Sequence, residues 1–181
     1  LPDAGLSLAR LTSVNPNAMI LDHNPSIQAD RGAEMYKNLL VATDGSKLSE
    51  KAVAHAIALA QAVGATLTAF YAAPDYPMPA YADGVVYEPV SRKEYAKLAA
   101  QDAQKILGAA AAKAGTAGIE CKTAYTIATA PWEAILAAAK KHKCDAIVMA
   151  SHGRRGLSAV LLGSETQKVL THSKLPVIVV R

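Results

Sequence analysis

Two cysteines in 181 residues, Cys121 and Cys144, are too few for a disulfide framework. No cluster of cysteine and histidine has the spacing of a structural zinc site. Both thiols are therefore expected to be reduced, as in a cytoplasmic protein. No apolar run approaches the roughly 20 residues of a bilayer-spanning helix, because the alanine-rich stretches are broken by charge. The opening residues lack the basic segment and compact apolar core of a signal peptide. The phosphate-binding signature G-x4-G-K-[ST] is missing, and no G-x-G-x-x-G follows the first strand pattern. Nor do a nucleophile, an oriented base and oxyanion donors stand out together; Ser151-His152 are neighbours, but adjacency makes no triad. No catalytic residue is assigned.

Charge of one sign is not concentrated either. Residues 1–34 hold Arg10 and Arg31 against Asp3, Asp22, Asp30 and Glu34, a net of −2, so the chain's +4 leaves +6 on the remainder. The positives among Lys93, Lys97, Lys105, Lys113, Lys140, Lys141 and Lys143 recur along helical patterns. They read as solvated faces rather than a stripe interleaved with aromatics, so neither nucleic acid nor a membrane is an expected partner.

The composition that is present, 51% apolar and 19% charged, belongs to one ordinary globular domain. Residues 1–34 mix Pro2, Pro16 and Pro25 with Asn, Ser and Asp and keep no period. They are expected to be an N-terminal extension or added leader outside a core of residues 35–181. From Met35 onward, strand and helix patterns alternate five times, the signature of parallel βαβ units. The strand patterns are Met35–Thr43, Thr66–Ala72, Glu120–Ile127, Asp145–Ala150 and Pro176–Val180. The first helix runs from Ser46 to Val63, with Ser46 or Ser49 as N-cap and Gly64 beyond its end. The second opens on the capping box Ser91-x-x-Glu94, with Tyr95, Leu98, Ala99, Ile106, Leu107 and Ala110 on its apolar face. Pro131 starts the third, whose apolar stripe is Trp132, Ile135, Leu136 and Ala139. The fourth covers Glu165 to His172. The expected architecture is α/β: an open five-stranded parallel sheet, order 3-2-1-4-5, with helices on both faces in a Rossmann-like arrangement. A connection of about eighteen residues after the second strand exceeds usual lengths and is either a functional flap or merely mobile.

In such sheets ligands bind beyond the carboxyl ends of the strands, where the strand order reverses. That draws attention to Thr43-Asp44-Gly45-Ser46 after the first strand, and to Ser151-His152-Gly153-Arg154-Arg155-Gly156 after the fourth. Gly163-Ser164 then leads into the last helix. Glycine lets backbone N–H groups approach an anion, and a helix N-terminus adds free donors and the positive end of its dipole. Ser164 is either a phosphate donor or only the N-cap of Ser164-x-x-Gln167, and the two roles are compatible.

The segment Leu40-Val41-Ala42-Thr43-Asp44-Gly45-Ser46 resembles the first strand and turn of universal stress proteins. The closing segment resembles that family's motif G-x2-G-x9-G-[ST]. Gly153 takes the second glycine, nine residues separate it from Gly163, and Ser164 takes the Ser/Thr place; Leu175-Pro176-Val177 also fits. The first motif glycine is replaced by Ala150. The resemblance covers about residues 35–181 and implies an adenine-nucleotide alpha-hydrolase-like fold that binds ATP. It implies that magnesium or manganese is carried on the phosphates. Asp44 and Thr43 would lie by the nucleoside or its metal, and Ala72 would line the adenine pocket. Ala150, Ser151, His152, Gly153 and Arg154 would approach ribose and phosphates. Gly163, Ser164, Glu165 and Thr166 would offer backbone or hydroxyl donors. It further implies a homodimer paired through the last strand, Val177 to Val180. The function it implies is a nucleotide-dependent regulatory module of the stress response, with no catalysis expected beyond slow ATP hydrolysis; the alternatives are a slow ATPase or a nucleotide-independent dimeric interaction module.

Overall fold

The computed structural model describes residues 36–76, 80–82, 85–87, 90–153 and 162–181. The extension 1–34, Met35 and the arginines at 154 and 155 lie outside them. Two alternating sets of side chains on the strands organise the fold. In β1 (Asn38–Ala42), Leu39 and Val41 point to one face and Leu40 to the other, as a period of two requires. The same split runs through β2 (Thr66–Pro74), where Leu67, Ala69, Tyr71 and Ala73 oppose Phe70. After the short β3 (Ala80–Ala82) and β4 (Val85–Tyr87) and the edge strand β5 (Cys121–Ala128) comes β6 (Ala146–Ala150). Every residue of β6 is buried, so it reads as an unbroken apolar run. The last strand is β7 (Val177–Val180).

The main sheet has the order β5-β2-β1-β6-β7, all parallel. Counted along the main sheet alone, this is the expected 3-2-1-4-5. The connection after β2 is not a simple loop: β3 and β4 pair antiparallel as a small separate ribbon.

Helices α1 (Lys47–Val63) and α2 (Arg92–Thr116) cover the Leu39/Val41 face, and α3 (Pro131–Lys141) and α4 (Ser164–His172) cover the Leu40/Phe70 face. Alanine sets the packing of the first pair. Ala52, Ala56 and Ala60 form a 0%-exposed stripe at i, i+4, i+8, which keeps the side-chain layer thin against the sheet. On α2 the buried stripe is Ala99, Ala103, Leu107, Ala110 and Ala114. Leu98, assigned to the apolar face from the sequence, is instead 47% exposed, one position off that stripe. On α3, Ile135, Ala138 and Ala139 are buried, while Trp132 and Leu136 are half-buried.

Ser46 is the N-cap of α1, its hydroxyl accepting from Ser49 N, and Ser91 caps α2 by accepting from Glu94 N. The N-cap of α4 is Gly163, and the helix begins at Ser164, one residue earlier than expected. Ser164 therefore occupies the first helical position, and no side chain caps this helix.

Candidate functional site at the sheet switch point

The strand order reverses between β1 and β6, so the turns leaving these neighbours diverge and open a crevice. On the β1 side the chain turns through Gly45, whose φ of 75° favours glycine. Asp44 Oδ1 accepts from Ser46 N at 3.0 Å, an Asx turn that fixes the carboxylate over the start of α1. Thr43 is buried; its hydroxyl meets Ser49 Oγ at 3.1 Å and accepts from Gly45 N at 3.3 Å. Asp44 N donates to the same Ser49 Oγ at 3.3 Å. Ser49 thus braces the whole turn. The sequence offered Ser49 only as an alternative N-cap to Ser46, and its reach back to residues 43 and 44 was not legible.

On the β6 side, Ala150 ends the strand with its side chain inside the core shared with α1. Ser151 is buried, donating from its amide to Val180 O and accepting at its carbonyl from Gly163 N, both at 2.8 Å. Its hydroxyl lies 3.2 Å from His152 Nδ1. Residue 163 is thereby pinned back onto residues 151–152.

The glycines here are required by space, not by backbone angle. Neither Gly153 nor Gly163 lies in the left-handed region. A Cβ on Gly163 would stand 3.2 Å from His152 Cα and 3.4 Å from Ser151 O. One on Gly153 would stand 2.7 Å from Asp44 Oδ2. The structure therefore brings Asp44, Ser151, His152, Gly153 and Gly163 together from three segments. Ala72 sits half-buried on β2, on the α3/α4 face with Ala42 and Phe70.

The side chains of two residues expected to offer backbone or hydroxyl donors are engaged elsewhere. Thr166 is buried and gives its hydroxyl to Ala150 O at 3.0 Å, tying α4 to the end of β6. Glu165 turns towards α3: Oε2 accepts from Trp132 N at 3.0 Å, and Oε1 pairs with Lys168 Nζ at 3.1 Å. It caps a helix whose own N-cap, Ala130, has no side chain able to do so. From these two residues the crevice is offered backbone N–H groups only. Arg154 lies outside the described residues.

Beside the crevice, Tyr95 donates to Pro74 O at 2.9 Å and stacks edge-on against Tyr76, with ring centroids 5.3 Å apart. Arg92 lies over the Tyr76 ring. The Thr129 hydroxyl, at 2.8 Å, and the Tyr76 amide hold the Asp75 carboxyl below its ordinary range. Two shallow surface grooves, one along Ser91–Gln101 of α2 and one between β5 and α3, lie away from the crevice. Among the described residues no group of three or more His, Cys, Asp or Glu side chains converges on a metal position, and no helix is long and apolar enough to cross a membrane.

A doubly wound α/β sheet, with a glycine-lined crevice at its switch point and a helix N-terminus beside it, defines a ligand-binding class of fold. The family can be stated as well. Residues 35–181 match the universal stress protein family, and the chain belongs to it. A universal stress protein of Thermus aquaticus is 36% identical over 147 residues, which cover 81% of this chain and all of that protein. The solved structure of UspA from Lactobacillus plantarum is 28% identical with a TM-score of 0.64, covering 81% of this chain and 98% of that one. A universal stress protein solved in complex with cAMP is also 28% identical, with a TM-score of 0.59 and the same coverage.

Proposed function

We propose that this protein binds ATP in the crevice between β1 and β6 and acts as a nucleotide-dependent regulatory module of the stress response. The observation that carries the proposal is the seating of Gly163. It is the N-cap of α4, where the free N–H donors of the first turn and the helix dipole favour an anion, and it packs so closely on residues 151–152 that an added Cβ would stand 3.2 Å from His152 Cα. The relative solved with cAMP supports an adenine nucleotide as the ligand class. Ala150, which replaces a motif glycine, adds no bulk to the crevice, because its methyl group is packed in the core. In this reading the backbone N–H groups of residues 164–166 hold phosphate oxygens, Gly153 and His152 lie along the phosphates and ribose, and Ala72 flanks the base. Asp44 faces the nucleoside or a magnesium or manganese ion carried on the phosphates, which supplies charge neutralisation when bound. The protein works as a homodimer paired through β7.

Mass spectrometry of the denatured protein tests for co-purified adenine nucleotide, and titration with Mg-ATP is read by Trp132. This sole tryptophan is tied through its backbone to Glu165 in the first turn of α4, so its emission should respond to occupation of the crevice. Gly163→Val, which drives carbons into the His152 backbone, should weaken binding about tenfold or more, equivalent to about 1.4 kcal/mol. A protein that carries no nucleotide and shows neither an emission change nor a thermal shift with Mg-ATP refutes the proposal.

A further inference from the structure

The opposite end of the sheet, where the strands begin, carries a feature that nucleotide binding does not use. Three helices stop there in the same way. At the end of α1, Gly64 has φ 70° and Ala65 N returns to Ala60 O at 2.9 Å. At the end of α2, Gly118 has φ 73° and Ile119 N returns to Ala114 O at 2.9 Å. At the end of α3, Cys144 N returns to Ala139 O at 2.8 Å and Lys143 N to Lys140 O at 3.2 Å. This is a Schellman closure, which needs one left-handed residue. The third helix puts Lys143 there, with φ 55°, the only non-glycine residue at positive φ among the described residues. A Cβ in that conformation is disfavoured, and glycine serves the other two helices.

The same end gathers charge. The segments where the strands begin hold Lys37, Lys140, Lys141, Lys143 and Lys174, all exposed, against Asp145 and Glu120. The strands place these segments side by side. Asp145 N donates to Asn38 O, Asn38 Nδ2 donates to His142 O at 2.9 Å, and Ile147 N donates to Pro176 O. The Asp145 carboxylate is turned inward onto the amides of Lys37 and Asn38, at 2.6 and 3.2 Å. Glu120 lies 3.8 Å from Lys122. Lys140 and Lys141 also complement the carbonyl end of α3, but that role does not extend to Lys37, Lys174 or a left-handed Lys143.

We propose that this lysine face is a docking surface for an acidic polypeptide segment of a partner protein. Each of its five cations is lysine, a point charge without the planar fork that reads phosphates and bases. Among the described residues, no exposed aromatic side chain lies there to stack on bases, and the large exposed apolar side chain at this end is Leu170, in the last turn of α4. The lysines stand where three neighbouring strands, β1, β6 and β7, begin, so at about 4.8 Å between strands the face is roughly 10 Å wide along the sheet, the breadth of one extended peptide. The surface lies at the end of the sheet opposite the crevice.

The test measures anisotropy of a labelled deca-glutamate peptide with the full chain. Binding is expected to weaken steeply as salt rises above about 0.1 M, where the screening length falls to about 10 Å. Replacing Lys140, Lys141, Lys143 and Lys174 together by Gln should reduce affinity by roughly tenfold or more, since each tenfold requires only about 1.4 kcal/mol. Lys93→Gln with Lys97→Gln and Lys105→Gln, on α2, should leave it nearly unchanged. Lys143→Gly alone should weaken binding while raising Tm by about 2–4 °C, a combination that a purely structural lysine would not give. No binding by the unaltered chain, or equal losses from the two sets of lysine variants, overturns the proposal. Tighter, equally lysine-dependent binding of a DNA duplex or of phosphatidylserine vesicles overturns the assignment of the partner as a polypeptide.

Discussion

Substituting Gly153 by alanine probes the crevice most directly, because the structure fixes both the cost and its source. The new Cβ would lie 2.7 Å from Asp44 Oδ2 and 3.7 Å from its Cγ, closer to the oxygen than stable packing allows. The backbone at Gly153 is not left-handed, so alanine brings no strain of its own. Relief must come from Asp44 turning aside, which disturbs the bond its Oδ1 accepts from Ser46 N at 3.0 Å. A charge-assisted bond of this kind contributes about 1.5 kcal/mol or more, and an off-rotamer side chain costs about 1 kcal/mol. Gly153→Ala should therefore destabilise the protein by about 1–3 kcal/mol. In an Asp44→Ala background the obstructing oxygen is gone. There the same substitution should be neutral, or stabilising by about 0.5 kcal/mol through a less flexible unfolded chain. Urea unfolding of the four proteins in this double-mutant cycle gives the coupling, expected at about 1 kcal/mol or more. An equal cost in both backgrounds would refute the contact between Asp44 and Gly153, and with it the crevice described above.

Light scattering should give twice the chain mass, because β7 presents a strand edge that is unpaired among the described residues; a monomer at micromolar concentration removes the homodimer. Lys143→Gly should add about 1 kcal/mol in urea unfolding, the difference between alanine-like and glycine backbones in a left-handed cap; no gain would mean that the cap is not left-handed. Burial pushes the Cys144 thiol above its ordinary range. A raised folded value means that the contribution is complete below the unfolded thiol's pKa and lost as pH rises through the folded one. Stability should thus fall as pH climbs above about 8.5, less steeply in Cys144→Ala, and identical slopes would refute the burial effect.

Much of the fold was legible because it rests on local pattern. The alternation of Leu39, Leu40 and Val41, the uninterrupted Ala146–Ala150 run and the caps Ser46 and Ser91 are settled by neighbours a few residues away. The positions of Gly153 and Gly163 were legible as spacing and, through the strand order, as lying opposite Asp44. Neither said that one meets the Asp44 carboxylate itself and the other the backbone that follows β6. Helix periodicity also misplaced Leu98, which sits one position off the buried stripe, so that the adjoining Ala99 rather than Leu98 packs into the core.

By itself, then, the sequence determined the element order of the main sheet and its helices, the two-sided core and the residues flanking the switch point, since each follows from periodicity and turn chemistry over short range; it did not show the β3–β4 ribbon. Only the tertiary structure decided which polar atoms remain for a ligand. Glu165 and Thr166 stand where donors were expected, yet a helix N-terminus on α3 and a strand carbonyl on β6 claim their side chains first. Buried and terminal backbone groups must find partners, and where those partners come from is a matter of how distant segments meet. The same holds for Lys143: its charge was visible in the chain, but its left-handed backbone and its company of lysines arise only where three helices end together.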